Sequence, residues 1–289
     1  MRSWSEAWAD ALYGPSGFFL REAPLDHFRT NVAVPLFATA VRRLAGLVDA
    51  ALGFPDPFDV VDLGAGRGEL LDGLAEVPAR WRLTGVDLAS PADRRTGAEV
   101  AWSDEVPEVH GLLIANEWLD SIPLDVVEDG RLVLVADDGT ETLGAPLSSE
   151  WASQWWPQPG VEQSPHQDRG SSPHRVEVGA PRDLAWAAAV ARVRRGMAVA
   201  IDYGHTVADR RPSLSGYCQG RQVLPVPDGT CDLTAHVALD SAASATGSRL
   251  VTQREALRSL GISATLPTIG DPQRSVGSPN DALGIPNGP

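Results

Sequence analysis

Apolar residues recur at helical spacing from Pro35 to Ala51, which predicts an amphipathic helix. The apolar run Phe58–Leu63 is typical of a buried strand, and it leads into a glycine-rich turn and a helical pattern over Glu69–Leu74. Further strands are predicted at Arg82–Asp87, Glu99–Trp102, Gly111–Glu117 and Met197–Asp202. Strands that alternate with helices predict an α/β fold with a doubly wound, mostly parallel sheet of the Rossmann-like type.

Two short apolar runs on either side of Asp129-Gly130 predict an inserted β-hairpin, because this dipeptide favours a type I′ turn. The segment 153–173 is rich in Pro, Gln, Ser and Gly, which is typical of a surface loop or flap. The C-terminal half contains patterns for helices at Arg182–Arg195, Ala235–Ala243 and Glu255–Leu260, and for a strand at Arg249–Thr252.

The domain organisation follows from these patterns. We expect an N-terminal helical and loop cap over residues 1–52 and one α/β domain over residues 53–267, with an insertion at about 124–176. Residues 268–289 are rich in Pro, Gly, Ser and Asn, and we expect an unstructured tail there.

The composition of the chain limits the binding partners and the cellular compartment that can be expected. A net charge of −14 disfavours binding to a phosphate backbone, so no nucleic-acid partner is predicted. No apolar run approaches the ~18 residues of a membrane span, and the N-terminus has no signal-peptide layout. Cys218 and Cys231 lack a CxxC spacing, which argues against a zinc site and suits a reducing compartment, although a structural pair stays open. We expect a cytoplasmic protein with no metal and with an oligomeric state that is left open.

The strongest chemical feature is the turn Gly64-Ala65-Gly66-Arg67-Gly68, which follows a strand that ends at Asp62-Leu63. Asp87 lies about 20 residues further on, where a carboxylate at a strand end can bind ribose hydroxyls. The layout predicts a nucleotide-like cofactor. The candidate cofactor-binding residues are Asp62, Gly64, Ala65, Gly66, Gly68, Asp87, Leu88, Asp104 and Asn116.

Two cofactor classes use such a turn. A dinucleotide site has glycine or alanine at the position of Glu69, where a carboxylate would repel the pyrophosphate. S-adenosylmethionine carries a sulfonium and an ammonium group, with which the acidic Asp62 is compatible. The turn, with acidic residues at both strand ends, resembles the pattern of class I methyltransferases and favours S-adenosyl-L-methionine as cofactor.

Further segments resemble the MidA family of methyltransferases, in the family's order. They are Tyr13-Gly14 to Phe28-Arg29-Thr30 (its "GYY…GDF-TSPE"), Ala115–Pro123 ("ANE-F-DALP"), Val199–His205 ("IDYGH") and Gly229–Val237 ("G-DITAHV"). The chain departs from the family at Thr30-Asn31-Val32-Ala33, which replaces "TSPE". It also departs after Leu260-Gly261-Ile262, where a low-complexity tail begins in place of the family's last helix and strand. The resemblance therefore implies that the final strand of the sheet is missing or replaced.

The resemblance implies a class I fold, S-adenosyl-L-methionine as methyl donor and a protein substrate. The mitochondrial member of the MidA family dimethylates an arginine of a respiratory complex I subunit, so arginine is the acceptor that the resemblance suggests. Three alternatives stay open: a methyltransferase of small molecules, an inactive assembly or binding protein with the same fold, and a nicotinamide-dependent oxidoreductase.

Four residues are candidates for catalysis. A guanidinium group is protonated in water, so carboxylates must orient it, and Glu117 and Asp120 follow a parallel strand where such groups are needed. Either of them could instead cap a following helix. Asp202 and His205 follow another strand; Asp202 could orient the substrate, and His205, with an ordinary pKa near ~6.5, could accept a proton. Asp232 and His236 have the i, i+4 spacing of a helical pair.

Overall fold

A computed structural model describes residues 1–21, 35–74, 76–88, 99–156 and 174–262. The "TSPE" counterpart, most of the predicted flap and the predicted tail lie outside these residues. The chain forms two compact units. The antiparallel unit comprises Met1–Phe28, Leu119–Ala187 and Gly204–Ser248, and the parallel-sheet unit comprises Arg29–Trp118, Ala188–Tyr203 and Arg249–Pro289.

The described elements, in chain order, are β1 (Arg2–Ser3), α1 (Trp4–Tyr13), α2 (Phe18–Arg21), α3 (Pro35–Ala51), β2 (Phe58–Leu63), α4 (Glu69–Asp72), β3 (Trp81–Val86), β4 (Val100–Ser103), β5 (Val109–Asn116), β6 (Asp125–Glu128), β7 (Arg131–Val135), β8 (Glu141–Pro146), α5 (Glu150–Trp155), β9 (Arg175–Val178), α6 (Ala180–Val190), β10 (Val193–Ile201), β11 (Gly204–His205), β12 (Ser215–Cys218), β13 (Arg221–Val223), β14 (Asp232–Thr234), β15 (Val237–Ala238), α7 (Leu239–Thr246) and α8 (Gln253–Ser259).

The parallel-sheet unit confirms the predicted α/β fold. Its five strands run in the order β10-β5-β2-β3-β4, and each neighbouring pair is parallel. The chain order reverses between β2 and β5, and ligands of open parallel sheets bind at the carboxyl ends of strands at such a point. The helix α3 has the predicted bounds and packs Phe37, Val41 and Val48 into the core that contains Phe58 and Val60 of β2.

The antiparallel unit contains the predicted hairpin. Asp129 and Gly130 have φ values of 49° and 71°, as a type I′ turn requires, and they join β6 to β7. The hairpin lies within a larger sheet of order β1-β7-β6-β9, with β8 paired to β7. Trp4 and Trp8 of α1 are fully buried and pack with apolar residues of β6 and β7. The N-terminal segment therefore shares a core with the inserted segment, unlike a separate cap.

Several predicted elements are wrong in extent or type. The helix predicted over Arg182–Arg195 ends at Val190, because Val193 to Arg195 pair with β5 through a bulge. The strand predicted at Arg249–Thr252 is absent, since Thr252 is the N-cap of α8 and accepts a hydrogen bond from the Glu255 amide. The spacing of Asp232 and His236 is not helical, because Asp232 begins the strand β14.

Cys218 and Cys231 form a disulfide. They face each other because β12 and β14 are antiparallel, with Tyr217 opposite Asp232. Cysteine usage therefore gives no support to the expected reducing compartment. None of the described helices has the length and apolar character that a membrane span requires.

Candidate functional site

The glycine-rich turn joins β2 to α4 in a conformation that only glycine adopts easily. Gly64, Gly66 and Gly68 have φ values of 77°, 57° and 101°, in the left-handed region. A Cβ atom at Gly64 would lie 2.8 Å from Cδ1 of Trp118, so this position also excludes a side chain on steric grounds. The Gly64 and Ala65 amides both donate to the Val86 carbonyl, which ties the turn to the end of β3.

Asp87 follows β3, and its carboxylate lies against the turn. Its Oδ2 atom accepts a hydrogen bond of 2.7 Å from the Gly66 amide. The predicted ribose-binding carboxylate thus lies at the carboxyl edge of the parallel sheet, beside the end of β2. Two other predicted cofactor-binding residues are exposed to solvent. Leu88 is 66% exposed, and Asp104, which follows β4, is exposed as well.

Asp62 is buried below the turn, with 4% of its surface exposed. Burial, together with the charges of Asp87 and Glu69, raises its pKa from 3.8 to about 8. The carboxyl group therefore keeps its proton at neutral pH unless a positive charge is placed near it.

Glu69 is the third carboxylate at the turn. Its Oε2 atom accepts a hydrogen bond of 3.2 Å from the Arg67 amide and lies 3.3 Å from the position of a Cβ atom on Gly66. Asp62, Asp87 and Glu69, here called the carboxylate cluster, thus surround one turn of backbone. Such a set suits a cationic ligand and disfavours a pyrophosphate.

Two predicted catalytic residues lie at the neighbouring strand ends of the same unit. Asn116 and Ile201 are paired at the ends of β5 and β10, so Glu117 and Asp202 follow at equivalent positions. Glu117 has a φ of 51°, and its amide donates to the Ile201 carbonyl at 2.8 Å. Asp202 is 5% exposed and accepts a hydrogen bond from the Tyr203 amide. The left-handed conformation of a non-glycine residue is typical of functional positions.

The other two predicted catalytic residues belong to the antiparallel unit. Asp120 is buried, and its carboxylate accepts hydrogen bonds from the hydroxyl groups of Ser121 and Thr234, at 3.1 and 3.0 Å. Burial raises its pKa, and the nearby Arg182 opposes this shift. The alternative that Glu117 or Asp120 caps a helix is wrong, because β6 is the next regular element.

His205 differs from the expectation of a histidine that titrates near neutral pH. Burial, with a contribution from Arg210, lowers its pKa to about 3, so its imidazole is neutral. Its ring meets Trp156 and His236 edge-on, with centroids 5.5 and 6.0 Å apart. The guanidinium of Arg210 lies over Trp156 and pairs with Asp240.

Arg182 is a residue of this region that the sequence patterns do not reveal. It is 1% exposed and donates hydrogen bonds to the carbonyls of Asp120, Ile122, Ala235 and His236, at 2.6 to 3.2 Å. These carbonyls belong to the segments 119–123 and 232–237, which carry two of the family motifs. One sequence feature could have drawn attention to Arg182: it is a cation in the first turn of α6, where the helix dipole disfavours a positive charge.

The comparisons with known proteins agree with this geometry. Residues 48–255 match the model of a family described as "Putative S-adenosyl-L-methionine-dependent methyltransferase". The chain belongs to this family. S-adenosyl-L-methionine is the cofactor, as the glycine-rich turn predicts, and the carboxylate cluster fits its cationic groups. A search of curated proteins gave no match.

Two solved structures share the fold. One is a protein from Burkholderia thailandensis bound to S-adenosyl-homocysteine, with 23% identity, a TM-score of 0.66, and coverage of 85% of this chain and 71% of the other. The second is a native structure of a protein of the same superfamily and organism, with 24% identity, a TM-score of 0.64, and coverage of 85% and 70%. The finer resemblance to the MidA family stays a prediction. In the described residues, no group of three or more metal-ligating side chains is arranged to hold a metal ion.

Proposed function

We propose that this protein transfers the methyl group of S-adenosyl-L-methionine to an arginine nitrogen in a protein substrate. The observation that carries the proposal is the adjacency of Glu117 and Asp202 at neighbouring strand ends in the unit that contains the carboxylate cluster. The MidA-like motifs support the choice of a protein substrate and of arginine. The bound cofactor supplies an electrophilic methyl group.

Glu117 has the role of orienting the guanidinium group. A carboxylate that accepts two N–H bonds of the guanidinium fixes its plane and localises the lone pair on the attacking nitrogen. The nitrogen forms the new bond to the methyl carbon while the carbon–sulfur bond breaks and its electrons stay on sulfur. The proton that the nitrogen loses passes to Glu117. Asp202, at the end of the neighbouring strand β10, stabilises the positive charge of the guanidinium group from its other side.

The test is methyl transfer from a labelled donor to proteins of a cell lysate, followed by mass spectrometry of the labelled peptides. Glu117→Gln is expected to lower kcat by about 100-fold or more, because a positioned carboxylate contributes about that much, while the donor Kd stays within about twofold. Glu108→Gln is the matched control, since Glu108 precedes the opposite end of β5 and is exposed.

Each result has one meaning. Label on arginine that is lost in Glu117→Gln supports the proposal. Full transfer by Glu117→Gln removes the role of Glu117, and label on other residues or on small molecules removes arginine as acceptor. Donor binding without any transfer favours an assembly or binding role.

A further inference from the structure

Arg210 and His205 are polar residues of the antiparallel unit whose side chains are buried around one aromatic ring. His205 ends β11, Arg210 lies in the loop between β11 and β12, and both contact the indole of Trp156. We propose that these two residues form a binding site for a carboxylate group. The site uses none of the residues of the proposed methyl transfer, so either proposal can fail without the other.

Arg210 has hydrogen-bond donors that remain unused. Its side chain is 2% exposed, and its Nη2 atom donates to Asp240 at 2.5 Å. Its Nε and Nη1 atoms are buried, and neither has a hydrogen-bond acceptor among the described residues. Because a guanidinium group contains only donors, the unused N–H groups of Arg210 require an acceptor such as a ligand oxygen.

His205 shows the same deficit on another side of the Trp156 ring. It is 4% exposed, and in the part of the chain that the structure describes both of its ring nitrogens are buried without a hydrogen-bond partner. Since its imidazole is neutral, one of these nitrogens has a proton to donate. Buried polar groups are rarely left unsatisfied in native proteins, and two such residues around one ring indicate that a ligand completes them.

The two residues are held in place by contacts that leave these nitrogens unused. Asp240, which binds Arg210, itself accepts hydrogen bonds from the Val207 and Ser241 amides, at 2.7 and 3.0 Å. The backbone of His205 is fixed by the pairing of β11 with β15. The donors are therefore oriented before a ligand arrives, which reduces the entropic cost of binding.

The charges near His205 favour a negatively charged acceptor over a neutral one. Burial is the main cause of its low pKa; Arg210 and Arg182 lower this pKa further, and Asp209 raises it. The effect of Arg210 exceeds that of Asp209, so the charges leave a positive potential at the ring. A negative group is stabilised at such a position, and hydrogen bonds to it are stronger than those to a neutral carbonyl.

Two acidic residues lie near Arg210, and both already have partners. Asp240 forms the ion pair with Arg210. The carboxyl group of Asp183 is bonded to the Ser241 hydroxyl and the Trp151 indole, and burial raises its pKa. Neither of them accepts a hydrogen bond from the Nε or Nη1 atom of Arg210. The unused donors therefore stay available to a ligand.

A carboxylate is the group that fits these requirements. It is compact, as a ligand of buried nitrogens has to be, and its two oxygens can accept hydrogen bonds from Arg210 and His205 at once. A cationic ligand would be repelled by Arg210. The carboxylate can belong to a small organic acid or to an acidic side chain of a peptide, and the experiment separates these sources.

The experiment is an NMR titration of the full chain with acetate, followed through the ring signals of His205 and the Nε–H signal of Arg210. We expect saturable shifts, and acetamide, a neutral analogue of the same shape, should bind at least about tenfold more weakly. A tripeptide with blocked ends and a central glutamate is titrated next. Tighter binding of the peptide than of acetate supports a site for a peptide side chain, and weaker binding supports one for a small acid.

Two variants test the residues. Arg210→Gln should weaken acetate binding at least about tenfold, because it removes the charged donor. Arg211→Gln is the matched control: it makes the same change at the next residue, which is exposed, and its acetate Kd should stay within about twofold of the wild type. His205→Phe should also weaken acetate binding, since it keeps an aromatic ring beside Trp156 and removes the nitrogens. Urea unfolding verifies that each variant is folded.

Three results would overturn the proposal. They are the absence of saturable shifts in the wild type, acetamide binding as tight as that of acetate, and an unchanged acetate Kd in folded Arg210→Gln or His205→Phe. The comparison of acetate with acetamide uses the wild type alone, so it decides the matter even if both variants fail to fold. None of these results changes the role proposed for Glu117.

Discussion

Asp62 makes the stability of the ligand-free protein depend on pH in a way that can be calculated. Its pKa is about 8 in the folded protein, whereas an exposed aspartate of the unfolded chain has a pKa of 3.8. Between these values the folded state holds one more proton than the unfolded state. The free energy of unfolding therefore falls by about 1.4 kcal/mol per pH unit as the pH rises, and the fall stops above about pH 8.

Asp62→Asn removes this titration while it keeps the size of the side chain. The free energy of unfolding of the variant, minus that of the wild type, should increase by about 4 kcal/mol between pH 5 and pH 8. This value is the integrated difference between the titration curves of Asp62 in the folded and unfolded states over that range. Little correction for solvent screening is needed, because Asp62 is 4% exposed. Urea unfolding, followed by tryptophan fluorescence at intervals of one pH unit, measures the difference.

Asp104→Asn provides the control for this experiment. It makes the same chemical change at an exposed position of the same unit, and its stability should run parallel to that of the wild type. Saturating S-adenosyl-L-methionine should reduce the pH dependence of the free energy of unfolding of the wild type, because the bound cation lowers the pKa of Asp62. If the difference in free energy of unfolding between Asp62→Asn and the wild type stays constant from pH 5 to pH 8, Asp62 does not have a raised pKa in the folded protein.

Three further perturbations test other parts of the structure. Gly64→Ala should abolish donor binding in calorimetry, because the residue has a φ of 77° and no space for a Cβ atom, whereas Gly46→Ala, in an open position of α3, should stabilise the protein by about 0.5–1 kcal/mol. Arg182→Met leaves four carbonyls without their donor and should lower the free energy of urea unfolding by about 3 kcal/mol; an unchanged value would remove its structural role. Reduction of the Cys218–Cys231 disulfide should cost about 3 kcal/mol in the same assay, and the double serine variant should not respond to the reductant.

The parts of the fold that are local in sequence were predictable. The segment from Phe58 to Asp72 combines an apolar run, three glycines and a short helical pattern, and the structure has a strand, a left-handed turn and a helix there. Asp87 could be placed because the carboxyl ends of neighbouring parallel strands lie at one edge. The family comparison then confirmed the cofactor that these residues suggested.

Features that depend on distant partners were not predictable. Val193 to Arg195 continue the helical pattern of α6, and only their pairing with β5 makes them a strand. The i, i+4 spacing of Asp232 and His236 fits a helix, yet Asp232 pairs with Tyr217 in a small antiparallel sheet. The neutral state of His205 depends on burial and on Arg210, which no spacing along the chain reveals.

Arg182 changes how the motif around Asp120 is understood. The four acceptors of Arg182 are main-chain carbonyls, so the shape of the segments 119–123 and 232–237 depends on the backbone and tolerates different side chains there. The Asp120 carboxylate, in turn, is occupied by the hydroxyl groups of Ser121 and Thr234. A carboxylate that is buried and accepts two hydrogen bonds within its own unit is better suited to hold the segment 119–123 against β14 than to bind a substrate. Glu117, which adopts a left-handed backbone conformation at the carboxyl end of β5, is therefore the stronger candidate for the acceptor site.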